Sequence, residues 1–115
     1  ECPDRVSIII KDYNCSLVAG SPSDINFTVT LQNKGLFRVD GYILRVNNRS
    51  DSEFGIYDLN GIGAPIDPGK EIVDEYNLSD FGLSSISLVE VQPFVSIDGD
   101  NVNCKSYTIQ RVNGC

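Results

Sequence analysis

The sequence predicts an all-β fold: a single β-sandwich of about seven strands over residues 1–115, with immunoglobulin-like or Greek-key connections and its first and last strands linked by disulfides. Three observations carry this expectation. Short segments of alternating apolar and polar residues, separated by Gly, Pro, Asn and Asp, recur at the spacing of sandwich strands. No segment repeats its apolar residues at the 3.6-residue period of a helix. Four cysteines stand at the two ends and nowhere else, Cys2 and Cys15 near the start, Cys104 and Cys115 near the finish.

Taken in order, residues 6–10 form the first strand around Ile8, Ile9 and Ile10. Residues 24–33 are the clearest element: Ile25, Phe27, Val29 and Leu31 alternate with Asn26, Thr28, Thr30 and Gln32, giving one buried and one wet face. Asn33-Lys34-Gly35 reads as a turn, and residues 38–47 follow with Tyr42, Leu44 and Val46 on one face, so the expectation is a hairpin. Residues 52–59 make a shorter strand weakened by Gly55. Residues 60–70 form a loop with three glycines and two prolines, ending in Ile66-Asp67-Pro68-Gly69-Lys70, a type II turn arrangement.

Residues 71–78 resume as a strand, with Ile72, Asp74 and Tyr76 set against Val73, Glu75 and Asn77, a pattern that does not decide the inner face. Residues 79–84 are turn-like. Residues 86–97 are apolar-rich, change parity near Val89 and contain Pro93, which predicts a bulge or an edge position. Asp98-Gly99-Asp100-Asn101 then leads in a hairpin to a final strand over residues 102–112.

The cysteine spacings, 13, 89 and 11 positions, lack the close pairs of a zinc site or a redox dithiol, and there is no histidine. Pairing Cys2 with Cys15 would join the two flanks of an extended strand, whose ends lie too far apart for a bridge. Two pairings remain open. Cys2–Cys115 with Cys15–Cys104 gives nearly constant index sums, as antiparallel strands require; Cys2–Cys104 with Cys15–Cys115 gives nearly constant differences, as parallel strands require.

With 9 basic and 16 acidic residues and a net charge of −7, the chain is unsuited to a nucleic-acid partner or an anionic membrane surface. No apolar run approaches a membrane-spanning length, so no membrane contact is expected of this segment. Asn-x-Ser/Thr acceptors at Asn14, Asn26, Asn48 and Asn77 join the cysteines in pointing to an extracellular, glycosylated surface. No enzyme is expected: without histidine, a serine or cysteine nucleophile lacks its usual base. The carboxylate pairs Asp74 with Glu75 and Asp98 with Asp100 read as solvated surface. Asp98, Asp100, Asn101 and Asn103 around Gly99 resemble the start of a calcium loop, but position twelve is Ile109 instead of glutamate, so they stand only as an incomplete candidate. Lys11 and Asn103, on the first and last strands, are a candidate isopeptide pair where disulfides already serve. No cofactor is called for.

The alternating run Ile25-Asn26-Phe27-Thr28-Val29-Thr30-Leu31-Gln32-Asn33-Lys34-Gly35, the Ile66-Asp67-Pro68-Gly69 turn, the early cysteine and the late strand ending at Val102-Asn103-Cys104 together resemble the extracellular β-domain of archaeal type IV pilins and archaellin-related filament proteins. That resemblance implies a structural head domain at the cell surface, other copies of the same subunit as partners in a filament, and an N-terminal hydrophobic helix preceding Glu1. The Asn-Lys-Gly and Pro-Gly turns also resemble adhesion-related sandwich modules of larger surface proteins, which implies a cell-surface ligand.

Overall fold

The computed structural model describes residue 2 and residues 5–18, 20–49, 51, 53–105, 107–113 and 115, with the backbone alone at 18 and 21–23. Among the described residues eight strands pack as two sheets: β1 Ile8–Val18, β2 Ser21–Asn33, β3 Gly41–Asn47, β4 Tyr57–Asn60, β5 Glu71–Asn77, β6 Leu88–Ile97, β7 Asp100–Asn103 and β8 Thr108–Arg111. The first sheet runs β1-β2-β5. The second runs β4-β3-β6, with β7 and β8 sharing the far side of β6. This is the β-sandwich the sequence predicts, and of the two connection patterns left open its strand order is the immunoglobulin-like one, an A-B-E sheet against a C′-C-F-G sheet with G in two pieces.

The core lies where the predicted faces meet. Phe27, Val29 and Leu31 of β2 are fully buried against Tyr42, Leu44 and Val46 of β3, and Val89, Val91 and Val95 of β6 join them. Each such side chain removed from water contributes roughly 1.5–3 kcal/mol. β1 is longer than the five residues expected and carries a bulge at Lys11 between Ile10 and Asp12. The expected strand over residues 52–59 shrinks to Tyr57–Asn60, and its predicted first residue, Ser52, lies outside the described residues. The Pro68-Gly69 turn forms as predicted, with Gly69 at φ 79° and the Lys70 N–H donating to Asp67 O at 3.0 Å.

Three expectations are corrected. β2 and β3 do not form a hairpin; they lie in different sheets. Past Asn33 the backbone stays with the N-terminal segment, Lys34 N donating to Ser7 O and Leu36 N to Arg5 O, so the chain is carried over the end of the sandwich. The buried Asn33 fixes this crossing: its Nδ2 donates to Phe37 O at 2.8 Å and Ile66 O at 2.9 Å, and its Oδ1 accepts from Gly35 N at 2.8 Å.

Second, β6 is central, neither an edge strand nor bulged against β3. Its parity shift arises because both faces are covered: Val89 and Val91 point inward, while Leu88, Glu90 and Phe94 point outward and are buried too. Pro93 is tolerated because its carbonyl accepts from Cys104 N, which places its nitrogen on the same side, at the gap between β7 and β8 where no ladder bond is needed. Third, the single strand over residues 102–112 is interrupted at Cys104, whose side chain turns into a disulfide.

Candidate functional site

The edges of the two sheets come together along two seams, and each seam is fastened differently. Along the first, β1 faces β8, and Cys2, ahead of β1, meets the end of β7. Cys2 is bridged to Cys104 and Cys15 to Cys115, each pair with Cα atoms 5.4 Å apart. Between the bridges Thr108 Oγ1 donates to Ile8 O at 2.6 Å and Asn113 N to Tyr13 Oη at 3.1 Å. The index offset stays near 100 throughout, so β1 and β8 run the same way, and the parallel-type pairing is the one formed. They share no ladder, because they belong to different sheets. The disulfides therefore act between layers and are compatible with an oxidising compartment.

The second seam, between β4 and β5, is polar. Tyr42, wholly buried, donates its hydroxyl to Asp74 Oδ2; Tyr76 donates to the same oxygen at 3.0 Å. Asn60 Nδ2 donates to Tyr76 Oη at 3.2 Å, and Asn60 Oδ1 accepts from Ile62 and Gly63 N–H groups at 3.0 Å. Gly63 is required here, since its φ is 61° and a Cβ would stand 2.6 Å from the Tyr42 ring. Burial, followed by the hydrogen bond and charge of Asp74, raises the Tyr42 hydroxyl well above its ordinary pKa. Burial also pushes Tyr76 up to about 12, aided by Asp74 and opposed by the Asn60 amide. The reading of Asp74 and Glu75 as solvated surface is thus corrected for Asp74, which faces inward and is half-buried under the two tyrosines, while Glu75 faces out and is exposed.

The outer face of the second sheet carries an ion pair that is more sheltered than its position suggests. Arg45 Nη1 lies 2.7 Å from Glu90 Oε2, its Nε lies 3.3 Å from Asp58 Oδ1, and Gln92 Oε1 accepts at 3.1 Å. Residues 53–56 strap across this cluster: Phe54 O accepts from Asn47 Nδ2, Gly55 N donates to Glu90 Oε1 at 3.4 Å, and the Phe54 ring stands 6.5 Å from that of Tyr107. A Cβ on Gly55 would be 2.7 Å from that of Arg45, so glycine lets the strap lie flat. The Glu90 side chain is left only 6% exposed. Around it Phe54, Ile56, Tyr107 and Ile109 are exposed.

The calcium candidate dissolves into a turn. Asp98 and Gly99 both have positive φ, 53° and 86°, as the two central residues of a type I′ hairpin between β6 and β7 require. Asp100 then points to one face of β7 and Asn101 and Asn103 to the other, so the four oxygens do not converge. Among the described residues no group of three or more Asp, Glu or Cys side chains could hold a metal ion. The isopeptide candidate also separates: Lys11 Nζ sits 2.6 Å from Glu71 Oε1 in the first sheet, while Asn103 lies on β7 in the second.

The acceptor asparagines are partly gathered. Asn14, Asn26 and Asn77 lie on the outer face of the first sheet; Asn48 is exposed just past β3, and Ser50 of its motif lies outside the described residues. Sequence reasoning missed the Tyr42–Asp74–Tyr76 cluster and the Arg45–Glu90 pair. A signal existed for both: an inward tyrosine needs a partner for its hydroxyl, and a lone Glu90 among Leu88, Val89 and Val91 needs a cation. No protein-family model, curated protein or solved structure matches this chain.

Proposed function

We propose that the domain is the non-enzymatic structural head of an extracellular filament subunit of the archaeal type IV pilin kind, presenting a durable, glycosylated surface and making contacts with copies of itself. The observation that supports this most is the double inter-layer bridge, which fastens the start of the chain to its finish and suits a domain exposed for long periods outside the cell. Acceptor asparagines on the outer face of the first sheet fit a coated exterior. The gene upstream of Glu1 tests the reading: a class III signal and an apolar helix of about 20 residues are expected, and further β-repeats on both sides would refute it.

A second reading, an adhesion module of a larger surface protein, is favoured by the exposed Phe54, Ile56, Tyr107 and Ile109 on the opposite outer face. Filaments seen by electron microscopy of the full gene product would decide against it. A monomeric product that binds cells through that face would decide for it.

A further inference from the structure

We infer that Asn26 and Asn77 form a single composite glycosylation site that accepts one glycan, not two, while Asn14 beside them is modified independently; this rests on the glycoprotein reading above. The three acceptors are far apart in sequence, yet the sheet places them in two adjacent rows of one face. Ser16, Asn26 and Asn77 are mutual Cα partners across β1, β2 and β5, and Asn14, Thr28 and Glu75 form the next row.

In each motif the middle residue is turned away from the acceptor. Cys15 enters the inter-layer bridge, and Phe27 and Leu78 are fully buried in the core. None of the three asparagines can therefore rotate inward to relieve crowding without dismantling the core or a disulfide.

Directly opposed residues on one face of an antiparallel pair have Cβ atoms about 4.5–5.5 Å apart. A hydrated pyranose ring is at least as wide as the strand spacing of about 4.8 Å, so two first sugars attached there compete for one volume. Asn77 has little freedom to lean away. Its Oδ1 accepts from Ser79 N at 2.9 Å and from Ser79 Oγ at 2.7 Å, capping the 3-10 turn Leu78–Phe81, which fixes the direction left to its amide nitrogen. Asn26 has less still, being on the central strand and half-buried between neighbours on both sides. Asn14 escapes the conflict. It is diagonal to Asn26, about 7–8 Å away, and exposed on an edge strand.

The test is secretion of the chain from a host with N-linked glycosylation, followed by intact-mass analysis and peptide mapping of the wild type, Asn26→Gln, Thr28→Val and Asn77→Gln. Thr28→Val removes the motif while leaving Asn26 in place, which separates glycan competition from any effect of losing the asparagine. Expected are molecules carrying Asn26 or Asn77 glycan but fewer than a tenth carrying both, and a rise in Asn77 occupancy in both Asn26→Gln and Thr28→Val. Joint occupancy equal to the product of the single occupancies would overturn the inference and leave the glycoprotein reading intact. Unmodified peptides at Asn26 and Asn77 in the wild type would overturn the inference, and unmodified peptides at Asn14, Asn26, Asn48 and Asn77 together would overturn both.

Discussion

Replacing one disulfide should cost less than its loop length suggests, and replacing both should cost more than the two single losses combined. Cys2 and Cys104 are 102 positions apart, and Cys15 and Cys115 are 100 apart. Alone, either bridge closes a loop of about 100 residues, which the chain-entropy model values at about 4.7 kcal/mol. With the partner bridge present the unfolded chain is already tied, and Cys2 reaches Cys104 through a circuit of about 24 residues, by way of Cys15 and Cys115. The second bridge then contributes about 3.4 kcal/mol on the same model. Cys2→Ala with Cys104→Ala, and separately Cys15→Ala with Cys115→Ala, should each lose about that amount. The quadruple variant should lose about 8 kcal/mol, most of the stability of an ordinary domain. At an unfolding entropy of about 2.1 cal/mol/K per residue, each single-bridge variant should melt about 14 °C lower. Calorimetry and urea titration monitored by circular dichroism measure both quantities. A loss below about 1 kcal/mol for either bridge, or losses differing by more than about 1.5 kcal/mol between them, would refute the reasoning.

Two further predictions concern the polar clusters. Below pH about 10 both Tyr42 and Tyr76 are protonated in the folded and unfolded chain alike, so their contribution is fully present. As pH rises from there through about 12 the unfolded chain releases its protons first, and stability falls. Tyr76→Phe should make that alkaline decline shallower while costing about 1 kcal/mol at neutral pH; an unchanged alkaline slope in urea titrations would count against the assignment. On the outer face, Arg45→Ala leaves Glu90 buried without its cation and should cost about 3 kcal/mol. Asp58→Ala, removing an exposed partner of the same guanidinium, should cost less than about 1 kcal/mol. Equal losses would show that the strap over Glu90 does not shelter the pair.

Much of the sandwich was legible because burial imposes a period of two on any strand with one wet face. Residues 24–33 and 38–47 carried that period cleanly, and their inner faces are those the alternation predicts. The same alternation could not say whether these strands pair with each other or face each other across the core, since both arrangements bury one side. That choice is made by the tertiary bonds of Asn33 and by the pairing of residues 34–36 with residues 5–7. Pro93 misled for a related reason: the missing N–H matters only if a neighbour needs it, and here β6 changes partners at that point. The acceptor motifs were legible singly, but their convergence on one face depends on the order β1-β2-β5, which no local pattern encodes.

The bridge connectivity also sets how the domain responds to being pulled. Tension applied between Cys2 and Cys115 has two short covalent routes, residues 2–15 followed by the second bridge, or the first bridge followed by residues 104–115. The 88 residues between Cys15 and Cys104 lie on neither. The shorter route becomes taut at roughly 45 Å, taking about 3.5 Å per residue and one bridge, against a long axis of 47 Å for the folded domain. Without the bridges the same pull could draw out roughly 400 Å of chain. Load therefore passes along one margin of the sandwich as through a short cord, while the long stretch from Cys15 to Cys104, which carries most of the core, hangs beside it.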